Sequence, residues 1–216
     1  MSAILLTWVN ERGEGVIRLI KRGLNYRFEK KWWIPILLIF PIISGVALLI
    51  AVLAGEKLPD LFWISAPILI LVRFVAYLFT GGPLQEEFGW RGYALDRLQT
   101  RFNALISSII LGFMWGLWHL PYSFVGTDSI YLYSIIPLII SNILISILMT
   151  WLYNNTKGSL LVALLFHNMF IISIDSLPAL NTQLGSLFYM IFLFATVIAV
   201  VAIWGSKRLV RETANK

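Results

Sequence analysis

The chain has 216 residues, of which 59% are apolar and 13% are charged, and its formal net charge is +6. A soluble domain is nearer half apolar and about a quarter charged, so this composition excludes an ordinary soluble protein and indicates an integral membrane protein. The absence of cysteine excludes disulfides, thiolate metal sites and cysteine nucleophiles. Because the positive charges flank apolar stretches, they indicate membrane topology, and we expect no nucleic-acid partner.

Residues 1–33 form a basic segment that ends in the aromatic pair Trp32 and Trp33, a position typical of an interfacial anchor. We expect a cytoplasmic arm that lies at the membrane surface, with an amphipathic helix. No cleavable signal peptide is evident, because the first strongly apolar stretch begins near Ile34 and no small-residue cleavage site follows it.

Residues 34–206 contain the stretches that can cross a bilayer, and residues 207–216 form a basic cytoplasmic tail. A transmembrane helix needs about 20 mainly apolar residues. The candidates are 34–54, 61–80, 104–122, 130–153, 159–176 and 184–205. We therefore predict an all-α fold, a polytopic transmembrane helical bundle of six or seven spans with an N-terminal interfacial segment.

The segment 84–100 decides between six and seven spans. It has the pattern of an amphipathic helix, and Gly81, Gly82 and Pro83 break the chain before it. The helix can lie on the surface, project from it or enter the membrane. A full crossing gives seven spans and puts the termini on opposite sides, whereas the basic residues at both ends favour six spans and cytoplasmic termini.

The two histidines of the chain, His119 and His167, both lie in apolar stretches. An ionisable group in a membrane span is costly and is by default a candidate for function. The plain alternative is a histidine that packs between helices and bonds a neighbour.

Glu86 and Glu87 are the second unusual feature. Adjacent helical residues point about 100° apart, so the two carboxylates have different surroundings. Glu87 precedes Arg91 by four residues, the favourable order for a helical ion pair. Glu86 can then face elsewhere, although an ordinary solvated helix with one ion pair explains the same pattern.

A helical hairpin that turns near Phe102 brings Glu86 and His119 to one level, and His167 lies near the middle of its own span. One glutamate and two histidines suit hydrolysis, in which glutamate takes a proton from water and histidine stabilises charge. Alternatively, Glu86, His119 and His167 can bind a divalent metal such as zinc and leave a position open for water.

These residues resemble the motifs of the CPBP family, which joins CAAX-processing type II endopeptidases to bacteriocin-processing and immunity (Abi) proteins. Residues 86–91, EEFGWR, match its E-E-x-x-x-R motif, residues 116–121, GLWHLP, resemble its second motif, and Phe166-His167 its third. The second motif commonly has phenylalanine where this chain has Trp115. The third usually has asparagine or aspartate where this chain has Ile171.

The resemblance implies an intramembrane endopeptidase that acts on membrane-associated peptides or proteins, with lipid as its surroundings. The short chain favours the bacterial cell membrane as its location. Glu86 would activate water with help from His119, His167 would stabilise the oxyanion, and Glu87 and Arg91 would hold the geometry. A glutamate-dependent mechanism needs no cofactor, and a metal-dependent one remains open. The alternatives are a non-catalytic immunity or scaffold protein, which Ile171 favours, and a small transporter with Arg73 and Asn142 along its path.

The distribution of charge generates a topology prediction. Reporter fusions at Ser2 and at Lys216 should both report the cytoplasm, because basic residues cluster near both ends. Reporters on opposite sides would contradict the six-span arrangement.

Overall fold

The computed structural model describes residues 2–121 and 135–211. Within these ranges the regular structure is helical and contains no strand, which confirms the all-α prediction. In chain order the helices are α1 (Ser2–Gly23), α2 (Trp33–Leu53), α3 (Phe62–Ser65), α4 (Ile68–Thr80), α5 (Pro83–Gly89), α6 (Asp96–Gln99), α7 (Ala104–Trp118), α8 (Ile135–Asn155), α9 (Leu160–Ser176) and α10 (Gln183–Trp204). A π-helix, Trp90–Leu95, joins α5 to α6, and 3₁₀ turns cover Lys30–Trp32 and Ala179–Asn181.

Most predicted spans coincide with these helices. The helices α2, α9 and α10 match their predicted ranges to within two residues. The predicted range 61–80 is divided into α3 and α4 near Pro67, because proline favours an extended residue before it. The ends of two predicted spans, residue 122 and residues 130–134, lie outside the described residues.

By length and apolar composition, fewer described helices qualify as membrane spans than the six or seven predicted. Among the described residues, three segments are long and apolar enough to cross a membrane: Lys30–Leu53, Ile135–Asn155 and Gln183–Trp204. A fourth arises if Ile68–Thr80 and Pro83–Gln99, which meet at a bend of 42°, count as one broken span. The helices α7 and α9 are apolar but shorter.

The segment 84–100 lies inside the helical bundle. The helix α5 packs against α1, α4 and α9, and the following π-helix contacts α7. Glu87, Arg91 and Leu95 have no exposed surface. The sequence leaves open a helix on the membrane surface, one that projects from it and one that enters the membrane. The burial favours the last placement, with this segment as the second half of a broken span.

One end of the bundle gathers the basic segments through polar contacts. The Arg22 side chain donates to the carbonyl of Gly158 at 3.2 Å and pairs with Asp96 at 2.8 Å. Asn154 donates to the carbonyl of Arg208 at 2.8 Å, and the Ala104 N–H donates to the Lys207 carbonyl at 2.9 Å. The N-terminal arm, the start of α6, the turn between α8 and α9 and the C-terminal segment therefore meet at this end.

The opposite end is joined by different contacts. The Leu184 N–H donates to the Glu56 carboxylate at 2.8 Å, and the Trp63 indole N–H donates to the Ser176 carbonyl at 2.7 Å. The end of α2, the start of α10 and the end of α9 are thus neighbours. The helices run alternately between the two ends.

Two glycines allow α7 and α8 to cross closely. A Cβ atom at Gly112 would lie 2.5 Å from the Cα of Ile143, and one at Gly116 would lie 2.9 Å from the Cα of Ile139. Glycines four residues apart permit this approach between membrane helices. The crossing fixes the register of α7, which carries Trp115 between the two glycines.

The crossing yields a stability prediction. Gly112→Ala should destabilise the fold by about 1–3 kcal/mol, because the new methyl group meets backbone atoms that cannot yield without separating the helices. The measurement is thermal unfolding of the purified protein in detergent. Gly45→Ala is the matched control in α2, where the nearest atom to a new Cβ, Leu177 Cδ1, is 3.6 Å away. Equal unfolding temperatures for the two variants would contradict the close crossing.

Candidate active site

The break before α5 places Glu86. Gly82 has φ 109°, a conformation that side chains rarely adopt, and Pro83 starts the new helix. A Cβ at Gly82 would lie 2.8 Å from Glu86 Oε1 and 3.8 Å from His167 Cε1. The absence of a side chain at Gly82 therefore lets Glu86 Oε1 and the His167 ring both lie close to this backbone position.

Glu87 forms a buried charge cluster with Arg91 and His167. Its Oε1 accepts a hydrogen bond from Arg91 Nη1 at 3.0 Å and lies 2.8 Å from His167 Nδ1. The Glu87 and Arg91 side chains have 0% exposure and that of His167 has 5%. Since a carboxylate oxygen accepts, His167 Nδ1 carries the hydrogen, and Nε2 is the ring nitrogen left for chemistry.

The neighbours of His167 hold α9 in the required rotation. Phe166 packs on Phe40 of α2, with ring centroids 4.6 Å apart, and Asn168 donates to the carbonyl of Phe74 in α4 at 2.8 Å. Adjacent residues diverge by about 100°. Fixing Phe166 and Asn168 against two different helices directs His167 towards α5.

Glu86 and His119 both contact Trp115. The indole Nε1–H of Trp115 donates to Glu86 Oε2 at 2.6 Å. His119 Nδ1 lies 2.9 Å from the Trp115 carbonyl oxygen, which accepts from it. The predicted hairpin between the two arms is therefore present, and Glu86 meets α7 at the level of Trp115.

The same tryptophan also faces the charge cluster. The Arg91 guanidinium carbon lies 4.8 Å from the Trp115 ring centroid, and the His167 ring meets Trp115 edge-on at 5.1 Å. Among the described residues, no group accepts a hydrogen bond from Arg91 Nε or Nη2. The ring face of Trp115 stabilises this cation, because an aromatic face attracts positive charge.

A cavity of about 270 Å³ opens beside Glu86. The first half of α1 forms one wall with Ala3 and Leu6, and Trp90 and Trp118 form others. Glu86 is the charged side chain of this mainly apolar lining. The Glu86 carboxylate is therefore accessible from this cavity.

Polar contacts hold α1 over the cavity. The helix is kinked at Arg12 (φ 58°, ψ −161°). Asn10 donates to the Tyr93 hydroxyl at 2.7 Å, and Arg97 pairs with Glu11 at 3.0 Å. Hydrogen bonds from Arg18 and Arg97 hold the pKa of Glu11 below its ordinary value, so Glu11 stays ionised in its contact with Arg97 at neutral pH.

The proposed zinc ligands do not fit one metal ion. Within residues 2–121 and 135–211, no group of three histidine, aspartate or glutamate side chains is arranged to hold a metal. Glu86 Oε2 is already bonded by the Trp115 indole N–H. We therefore derive no step through a metal ion.

The sequence did not reveal two of these contacts. The bond between Glu87 and His167 joins residues 80 positions apart, and no spacing predicts it. The second motif marks Trp115 only as an aromatic residue in place of phenylalanine. The contact with Glu86 could have been inferred from the indole N–H of Trp115, a hydrogen-bond donor that phenylalanine lacks.

Arg73 and Asn142, the two polar residues of the transporter alternative, have structural partners. Arg73 Nη1 lies 2.9 Å from both oxygens of Asp175, and the Tyr77 hydroxyl donates to Asp175 at 3.0 Å. Asn142 donates to the Leu138 carbonyl of its own helix at 2.9 Å. These contacts favour helix packing over a transport path for Arg73 and Asn142.

The comparisons with known proteins agree with the motifs. A family model described as "Type II CAAX prenyl endopeptidase Rce1-like" matches residues 32–172, which include Glu86 and both histidines. The chain is also similar to CAAX prenyl protease 2 of Methanococcus maripaludis. The two are 28% identical over 193 residues, which cover 84% of this chain and 69% of that protein.

The charge cluster yields a prediction about folding. Arg91→Ala should destabilise the protein by about 3–5 kcal/mol, because it leaves the buried Glu87 carboxylate without its cationic partner. Thermal unfolding in detergent measures the effect. Lys31→Ala is the control, since Lys31 and Glu29 form an exposed pair whose loss should be barely measurable. If both variants unfold like the wild type, the buried pair does not support the fold.

Proposed function

The chain belongs to the Rce1-like family of type II CAAX prenyl endopeptidases, and from this membership we propose that it is an intramembrane endopeptidase whose reaction centre contains Glu86, His119 and His167. Glu87 and Arg91 hold His167 in place. The proposal rests on one observation above the others: Glu86 and His167 both lie close to Gly82, and Glu86 also lines an apolar cavity.

In this proposal the attacking water reaches Glu86 from the adjacent cavity. Because Trp115 bonds Oε2, the other oxygen of Glu86, Oε1, is the one that binds this water. Oε1 takes a proton from water as the water oxygen attacks the scissile carbonyl. The protonated Glu86 then gives this proton to the leaving amine as the C–N bond breaks, which returns the carboxylate.

The histidines act on the charge that develops on the carbonyl oxygen. The Nδ1 bond to Glu87 orients the His167 ring, and Nε2 is the nitrogen that acts on the oxyanion. His119, held through Nδ1 by the Trp115 carbonyl, assists Glu86 in this proposal. Ile171 stands where the resembled motif has an amide, so this chain has one fewer donor on α9.

We further propose a six-span arrangement with both termini in the cytoplasm. The shorter apolar helices α7 and α9 join the three long spans and the broken one. The meeting of the N-terminal arm, the α8–α9 turn and the C-terminal segment at one end supports this arrangement. Residues 1–33 are then an interfacial arm, 34–206 the protease domain and 207–216 a basic tail, of which residues 212–216 lie outside the described part.

The proposed substrates are membrane-associated peptides or proteins, and the name of the Methanococcus relative points to prenylated CAAX sequences. The proposed location is the cell membrane of a prokaryote, with lipid around the bundle. The donor geometry favours the glutamate-dependent mechanism over the metal-dependent one. A non-catalytic immunity or scaffold protein is the alternative that the absence of activity would favour.

The proposal predicts that Glu86→Gln abolishes hydrolysis. Glutamine keeps the shape of the side chain but cannot take a proton, and loss of a general base costs about 10²–10⁴-fold in rate. The measurement is cleavage of a farnesylated CAAX peptide by purified protein in liposomes, beside a panel of unmodified membrane peptides.

Glu14→Gln is the matched control, because Glu14 is 90% exposed on α1 and lies outside the site. Both variants should unfold at the wild-type temperature. Undiminished cleavage by Glu86→Gln would refute the role of Glu86, and a wild-type protein that cleaves no peptide would favour the immunity or scaffold alternative.

A further inference from the structure

Trp115 is the residue around which the candidate site is assembled. Its side chain is 1% exposed, and it is one of the largest fully buried side chains among the described residues. It uses its indole N–H for Glu86 and its backbone carbonyl for His119. Its ring meets both Arg91 and His167. A residue that only filled the core would need none of the polar contacts.

The polar contact with Glu86 selects one oxygen of the carboxylate. The two oxygens of a glutamate are chemically equal, and rotation about the last side-chain bond exchanges them. The Trp115 N–H removes this equality, because it bonds Oε2 at 2.6 Å and leaves Oε1 beside Gly82. The donor thereby fixes the direction of the carboxylate and leaves Oε1 as the oxygen outside that bond.

The position of the donor is itself fixed. The close crossing at Gly112 and Gly116 holds the backbone of α7 on both sides of Trp115. Arg91 over the ring and His167 at its edge restrict rotation of the side chain. The indole N–H therefore keeps its position and does not move with the Glu86 carboxylate if that group rotates.

We propose that Trp115 is a positioning residue for the hydrolytic reaction, whose indole N–H holds the Glu86 carboxylate with Oε1 directed at the attacking water. This inference rests on the proposed function of Glu86. A phenylalanine, common at this place in the resembled second motif, keeps the ring contacts with Arg91 and His167 but lacks the donor. Phenylalanine therefore separates the positioning role from the packing role.

The test is Trp115→Phe in the liposome cleavage assay. Loss of a hydrogen bond to a charged group should lower kcat about 10- to 100-fold. KM should stay within about twofold, because the substrate does not contact the N–H and only the chemical step loses its alignment. If Trp115 has a purely structural role, the variant should instead have a lower unfolding temperature and a smaller fraction of active protein. The active fraction would then show no selective loss of kcat relative to KM.

Trp151→Phe is the matched control. Trp151 is also a buried tryptophan, 4% exposed, and its indole nitrogen has no hydrogen-bond partner among the described residues. The same loss of an N–H at that position should leave kcat unchanged. Replacing Trp115 with 3-benzothienylalanine, which keeps the fused rings and lacks the N–H, repeats the test without a change in shape.

The outcomes distinguish this inference from the function on which it rests. A wild-type protein that cleaves no peptide overturns both. A wild-type protein that cleaves, with Trp115→Phe or the benzothienylalanine variant cleaving at the same kcat, overturns the positioning role and leaves the function of Glu86 intact. If Trp115→Phe fails to fold, the benzothienylalanine variant decides the question alone.

Discussion

Oε1 of Glu87 accepts from Arg91 and from His167, and this shared acceptor joins the π-helix to α9 deep in the bundle. A fully buried carboxylate is stable only when charge and hydrogen bonds replace the water it has lost. Arg91 supplies the charge, and its other face rests on Trp115 of α7. Three helices are therefore held in fixed relation by one buried anion. The positions of Glu86 and His119 follow from that relation.

The two adjacent glutamates have separate tasks because of helix geometry. A turn of about 100° per residue sends Glu87 into the bundle and Glu86 towards the cavity. The π-helix begins three residues after Glu87 and contains Arg91. Such widened turns are rare and frequently lie at functional sites. Here the widened turn stands where α5, α7 and α9 converge on the charge cluster.

The sequence predicts most of the helices, whereas the roles of the candidate site residues stay predictions and their contacts are not visible in it. Hydropathy located α2 and α10 because their apolar runs are long. The interruption near Pro67 was missed because the whole range 61–80 is apolar. The hairpin between 84–100 and α7 followed from equal arm lengths. The Glu87–His167 bond depends on how α9 rotates against Phe40 and Phe74, and a single sequence does not encode that rotation in any local pattern.

The break at Gly81 and Gly82 bends the chain by 42° and frees backbone carbonyls from the helical ladder. The Phe79 carbonyl accepts from the Gln85 side chain instead. Hydrocarbon satisfies no backbone group, so interrupted helices persist in membranes only where protein or water surrounds the interruption. Hydrolysis consumes water, which hydrocarbon barely dissolves. Under the proposed function, the polar backbone groups at this bend would let water reach Glu86, and a straight helix here would present no such groups.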